Sequence, residues 1–224
     1  MTIEVRQVSD FNKVRLRGPG ILRVTQSDHE SLTIRAPRYG IRQLQSIVVN
    51  EELLLGYVSV GPVSLQLHRE VITYDLHVKD LRQVCLTGVG RAVLPDMDSD
   101  VLVLQVKGAG DIRVDHLTAD RLEVLIDGRG RVAVSGDVES QSVVVRDAGN
   151  YQAEAMISDF ADLRVTGPGR AAISVNDRLR VAITGQGTVS YVGFPEIVKL
   201  ISSSGRLQRN RLSGLPLKRG EEHG

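Results

Sequence analysis

From about residue 81 onward, apolar and polar residues alternate in short runs, and each run stops at a glycine triplet. Four and two places before the triplets stand Val84/Leu86, Leu104/Val106, Val124/Ile126, Val143/Val145, Leu163/Val165 and Val181/Ile183. After them come Ile112/Val114, Val132/Val134, Ala171/Ile173 and Val189/Tyr191. Apolar residues at i and i+2 share one face of a strand and lie on different faces of a helix, so each run predicts a half-buried strand. The triplets are Gly18-Pro19-Gly20, Gly88-Val89-Gly90, Gly108-Ala109-Gly110, Gly128-Arg129-Gly130, Gly167-Pro168-Gly169 and Gly185-Gln186-Gly187. Asp147-Ala148-Gly149 and Ser203-Ser204-Gly205 are degenerate copies. From residue 88 their starts are spaced by 20, 20, 19, 20, 18 and 18 residues.

A unit of strand, Gly-x-Gly corner, strand and polar turn cannot bury its apolar face alone, because an isolated strand pair is marginal in water. Antiparallel hairpins would call for recurring Asn-Gly or Asp-Gly turns. The one such pair, Asp127-Gly128, falls inside a triplet. Stacking each unit on the next pairs like strands in parallel and closes a continuous core. The expected fold is therefore all-β, a parallel β-solenoid (β-helix) with coils of about 20 residues and Gly-x-Gly corners, with a wrapped β-sandwich as the alternative. Seven regular coils at about 4.8 Å per strand give a rod of roughly 34 Å. The corners need positive φ or close approach to the neighbouring coil, and glycine allows both. The corner set is Gly18, Gly20, Gly88, Gly90, Gly108, Gly110, Gly128, Gly130, Gly149, Gly167, Gly169, Gly185, Gly187 and Gly205.

Columns of outward residues follow from the same alignment. Three places before the first glycine stand Arg15, Cys85, Gln105, Leu125, Val144, Arg164, Ala182 and Leu200, a column whose apolar middle, Leu125 and Val144, is the candidate partner surface. One place after the second glycine stand Arg91, Asp111, Arg131, Asn150, Arg170 and Thr188, mixed in charge as a solvated face would be. A single solenoid domain is expected over residues 1–207, regular from about 81 to 205. Residues 21–80 read as an irregular capping or inserted region, in which Leu32–Ala36 fits one hidden coil and Leu53-Leu54-Leu55 and Val63–Leu67 are candidate strands. Residues 208–224 read as a polar, disordered tail.

The repeated L-x-V-x-I-x-G-x-G-x-[IV]-x-V pattern resembles the putative auto-transporter adhesin head GIN domain family. So do Ser9–Val14, Val78-Lys79-Asp80-Leu81 and Ser190–Pro195, and the resemblance spans roughly residues 5–207. It implies a right-handed parallel β-helix-like fold with no assigned enzymatic activity, in a family whose members are typically exported bacterial proteins. Two features depart from the pattern: the favoured Gly-Ser-Gly-Asp form is replaced at every corner, and no leader precedes Met1. A cytoplasmic location follows if Met1 is the native start, a cell-surface one if a leader has been removed.

Composition narrows the functions open to such a rod. Hydrophobic residues at 42% and charged residues at 25% are globular values. A formal net charge of +1 argues against a nucleic-acid footprint, and no apolar run is long enough for a membrane span. Cys85, the sole cysteine, can form no internal disulfide and has no adjacent base to make it a nucleophile. His29, His68, His77, His116 and His223 form no i,i+4 ligand pair. The triplets lack the P-loop context, and they recur, whereas phosphate-binding glycines occur once between a strand and a helix. The carboxylates Asp96/Asp98/Asp100 and Asp111/Asp115/Asp120 are the candidates for glycan cleavage, and the first set also for calcium. Arg131, standing opposite Asp111 one coil on, would lower rather than raise that acid. No metal or cofactor is expected. The reading is a non-catalytic binding or adhesion module for an unknown protein or glycan. Self-association through the solenoid ends or faces is second, and a polysaccharide-acting enzyme third.

Overall fold

The computed structural model of the protein describes residues 1–57, 71–202 and 204–210. The N-terminal strands are β1 (Thr2–Arg6), β2 (Lys13–Arg17), β3 (Ile21–Gln26), β4 (Ser31–Ala36), β5 (Leu44–Val49), β6 (Glu52–Tyr57) and β7 (Thr73–Val78). The stack continues through β8 (Gln83–Gly88), β9 (Arg91–Gly108), β10 (Asp111–Gly128), β11 (Arg131–Arg146), β12 (Asn150–Ala153) and β13 (Met156–Thr166). It ends with β14 (Arg170–Ser174), β15 (Arg178–Thr184), β16 (Thr188–Val192), β17 (Glu196–Ile201) and β18 (Arg206–Arg209). The expected all-β solenoid is what these strands build.

Each coil has three sides, and burial along β10 shows where they meet. Ile112 and Val114 point inward, Asp115 and His116 are both exposed, Leu117 is buried, Asp120 and Arg121 are both exposed, and Leu122, Val124 and Ile126 point inward again. Two consecutive outward residues break the period of two and bend the chain. The third bend is the Gly-x-Gly corner. Side A carries the strand after the triplet, side B the short segment that includes Leu117, and side C the strand before the next triplet.

Side C is a parallel ladder of nine strands, β6-β2-β8-β9-β10-β11-β13-β15-β17. Eight spacings of about 4.8 Å make the rod about 38 Å long. Its interior is one continuous cluster in which Leu16, Leu86, Leu104, Ile126, Leu163 and Leu179 are wholly buried.

Corners are built with two different demands. The first glycine of each full triplet takes positive φ, as Gly128 does at 115°. In the degenerate copy Asp147 keeps that conformation at 55°, which aspartate tolerates better than most residues. The second glycine faces packing instead: a Cβ on Gly130 would lie 2.3 Å from Val106 Cγ1.

The N-terminal part departs from chain order. The coil made by β2 and β3 lies between β6–β7 and β8–β9, so the earlier segment sits deeper in the stack than the later one. Leu32–Ala36 is not the parallel coil expected for it. As β4 it runs antiparallel to β7 on one edge and to β1 on the other. The alternation that predicted a strand carries no information about direction. Leu53-Leu54-Leu55 is part of β6, which pairs antiparallel with β5 across Asn50 and Glu51, both at positive φ (51° and 62°). That is a two-residue hairpin without glycine. The expected strand at Val63–Leu67 and residues 211–224 of the expected tail lie outside the described residues.

Candidate binding surface

Side A presents the column Thr73, Ile21, Arg91, Asp111, Arg131, Asn150, Arg170, Thr188 and Arg206 in direct register. Arg91 contacts Asp111 at 3.4 Å, and Arg113 pairs with Asp115 two residues along its own strand. A cleft of about 680 Å³ on this side mixes Arg91, Arg113 and Arg131 with Asp111, Asp115 and Glu154. Its charges largely compensate one another. Nearer the N-terminus, Asp75 stands 3.7 Å from Arg23 and 3.6 Å from Arg35. Beside it His77 stacks on His29 with ring centroids 5.2 Å apart. The hydrogen bond from His29 at 2.9 Å holds the exposed Asp28 carboxyl below the ordinary aspartate range.

The candidate acids do not converge on one site. Asp96 and Asp98 lie along side B with Asp96 opposite His116, Asp111 and Asp115 are on side A, and Asp100 and Asp120 sit on adjacent rungs at the bend into side C. Asp98 is occupied through its backbone, whose N–H donates to Gln26 Oε1 at 2.8 Å and whose carbonyl accepts from Gln26 Nε2 at 2.9 Å. Among the described residues no three His, Cys, Asp or Glu side chains converge as a metal set, and no helix is long and apolar enough to cross a membrane.

Side C holds the column Leu54, Arg15, Cys85, Gln105, Leu125, Val144, Arg164, Ala182 and Leu200. Leu125 and Val144 are neighbours in it and half-buried. Cys85 is fully buried between the rungs of Arg15 and Gln105. The structure adds a parallel column at the bend between sides B and C: Val101, Arg121, Ser140, Phe160, Arg178 and Glu196. Phe160 is 40% exposed there. A groove of about 360 Å³ runs across these rungs, lined by Arg121, Ser142, Phe160, Asp162, Arg178 and Arg180 among others.

The groove floor is stiff. Gln141, 2% exposed, lines it and donates from Nε2 to Ser158 Oγ at 2.7 Å. Ser158 in turn donates to the Ser174 carbonyl at 2.9 Å, and Tyr151 Oη donates to Gln141 Oε1 at 3.0 Å. Complete burial pushes the Tyr151 phenol up, keeping it a donor. A buried network with these partners satisfied fixes its members in place. Sequence reasoning missed Phe160, although the signal was present: it stands seven places before Gly167, in a column otherwise made of Val101, Arg121, Ser140, Arg178 and Glu196.

The family model described as "Putative auto-transporter adhesin, head GIN domain" matches residues 10–195. The chain belongs to this family. Solved structures share the fold of this head GIN chain over most of its length. A putative adhesin from Bacteroides fragilis NCTC 9343 is 22% identical with a TM-score of 0.83, over 93% of this chain and 96% of that one. A putative adhesin from Parabacteroides distasonis ATCC 8503 is 20% identical with a TM-score of 0.72 over the same shares. A putative lipid binding protein from that organism is 18% identical with a TM-score of 0.77, over 94% of this chain and 96% of that one. No curated protein matches the chain.

The final coil completes the geometry of this head GIN domain. Among the described residues β17 and β18 are paired on one edge only, and Phe194 (86%) and Leu200 (77%) are exposed beside them. Lys199 stands in register with the buried Val181, in a column that is apolar elsewhere. Arg209 lies over the Phe194 ring at 3.5 Å. Charges in inward columns at a sheet edge blunt strand-to-strand association.

Proposed function

We propose that the chain is a non-catalytic, adhesion-type binding module that engages a protein or glycan partner through side C and its bend into side B. The observation that carries this reading is the contrast between the sides. Acids and arginines largely compensate one another along side A, whereas Leu125, Val144, Phe160, Val198 and Leu200 present apolar surface along the ladders of side C. An elongated stack offers such a surface without a deep cleft, which suits contact with an extended partner. The description of the family and of its structural relatives as adhesins supports it. The test is saturable binding of the intact chain on glycan and protein arrays, expected to fall with Leu125→Glu and Val144→Glu in a protein that still melts cooperatively. Arrays without a hit remove the proposal.

Self-assembly through the solenoid ends is the second reading, favoured by the edges of β17 and β18 that are unpaired among the described residues. Lys199 opposes it, since a second copy stacked there would bury its charge without a partner. A monomer in light scattering up to millimolar protein eliminates this reading.

A further inference from the structure

We propose that the groove at the bend between sides B and C is a binding site for an acidic saccharide, with Phe160 as the platform for a sugar ring and Arg121 and Arg178 as the anion receptors. This deepens the binding-module reading above and rests on it. The groove spans four rungs from β10 to β15, about 14 Å along the rod. Phe160 lies two rungs from Arg121 and one from Arg178, so the Cα positions of the two arginines stand about 10 Å and about 5 Å from that of Phe160 along the column, on either side of it. An exposed aromatic ring buries the apolar face of a pyranose at small entropic cost, having few rotatable bonds. Guanidinium groups hold carboxylate or sulfate in a bidentate fork.

Charge decides the sign of the ligand. Three arginines and one aspartate line the groove. Asp162 is held by Arg180 at 3.4 Å and Arg164 at 3.9 Å, so it does not repel an incoming anion as a free carboxylate would. Arg121 has no ion-pair partner among the described residues. The partner of Arg178 is Glu196 at 3.6 Å, an exposed carboxylate, and such a pair exchanges for another anion at little cost. Ser142 and Asp162, neighbours in the adjacent column, supply polar groups of the kind that take sugar hydroxyls.

Backbone pairing and charge argue against two other occupants. Every strand of the groove is paired on both edges, so a peptide cannot add itself to the sheet. One aromatic ring and a net charge of +1 do not make the cationic track with successive stacking platforms that single-stranded nucleic acid uses. A ligand with an apolar ring face, hydroxyls around it and a recurring anionic group matches side chains of these kinds in this order.

The test is calorimetric titration of the full chain with tetragalacturonate, its methyl ester, a chondroitin sulfate oligosaccharide and a single-stranded oligonucleotide. Binding is expected for the carboxylated or the sulfated saccharide and not for the ester. Arg121→Ala and Phe160→Ala should each weaken it at least about tenfold, about 1.4 kcal/mol, while the melting temperature stays unchanged. Phe160→Tyr should retain binding, separating loss of the ring from loss of the fold. No binding of either acidic saccharide, equal binding of the ester, equal binding by both alanine variants, or preference for the oligonucleotide overturns the proposal. An array hit on a protein that both groove variants still bind overturns it too, while leaving the binding-module reading intact. Silence in the titrations and on the arrays removes both.

Discussion

The stack from β8 to β16 and the N-terminal strands β1 to β7 use the same alternation of buried and outward residues, yet differ in how chain order maps onto space. In the stack each rung is followed by the next one about twenty residues on, so Asp111 lies on Arg91 and Arg131 on Asp111. In the N-terminal part β2 and β3 are sandwiched by segments from later in the chain, and β1, β4 and β5 close that end with antiparallel pairing. Periodicity therefore constrains the environment of a corner only where it persists. Identical residues in the two regions should answer substitution differently.

The largest contrast is expected at the first glycines. A Cβ on Gly128 would sit 2.6 Å from the Gly108 carbonyl oxygen, because one corner is stacked directly on the last. At Gly18 the nearest atom is Tyr57 Cδ2 at 3.8 Å. Both residues hold positive φ, 115° and 88°, which costs an L-residue about 1–2 kcal/mol. Gly18→Ala should lose only that. Gly128→Ala adds overpacking of about 1–3 kcal/mol, for a total on the order of 2–5 kcal/mol. Denaturant unfolding of the two variants measures the difference, and equal losses would mean that the corners are alike after all.

Next comes a pair of buried tyrosines. Tyr151 Oη donates to Gln141 Oε1 inside the stack, and Tyr151→Phe leaves that acceptor unsatisfied at a cost of about 1–3 kcal/mol. Tyr74, wholly buried in the N-terminal part, has no hydrogen-bond partner for its hydroxyl among the described residues. Burial nevertheless raises its phenol well above the ordinary tyrosine range. Removing an unpartnered buried hydroxyl is neutral or stabilising, so Tyr74→Phe should shift stability by no more than about 0.5 kcal/mol. Thermal unfolding of both variants decides it, and a large loss at Tyr74 would reveal a partner for that hydroxyl.

How much of this was legible depends on what each pattern encodes. Spacing of the triplets revealed strand, corner and register, so the columns through Leu125 and Val144 could be written from the chain alone. Alternation is blind to direction, so β4, whose Leu32, Ile34 and Ala36 are as buried as any coil residue, read as one more parallel rung. The hairpin at Asn50-Glu51 was hidden because its positive φ values fall on residues other than glycine. Phe160 is a different case. Its column was within reach of the same alignment, but the exposure that makes it a platform depends on the bend at Asp159–Phe160, which no column adjacent to a triplet reports.

The smallest contrast concerns ion pairs that tie rung to rung. Arg15 and Glu52 meet at 2.8 Å between β2 and β6, with side chains only 25% and 20% exposed. Arg178 and Glu196 meet at 3.6 Å in the final coils with 56% and 72% exposed. Hydrogen bonds to charged groups at partly buried sites are worth about 1.5–3 kcal/mol, which partial exposure of this pair reduces to about 1 kcal/mol. Glu52→Gln should lose about that much and do so with little dependence on salt. Glu196→Gln should stay within about 0.5 kcal/mol, and what it loses should vanish at high ionic strength. The Arg15–Glu52 pair also joins residues 37 apart in the chain, on adjacent rungs whose order in space is the reverse of their order in sequence. If Glu52→Gln proves as mild as Glu196→Gln, the interleaved order is held by the stacking of Val14 on Leu53 and of Leu16 on Leu55 rather than by charge, and Leu53→Ala becomes the substitution that should unseat it.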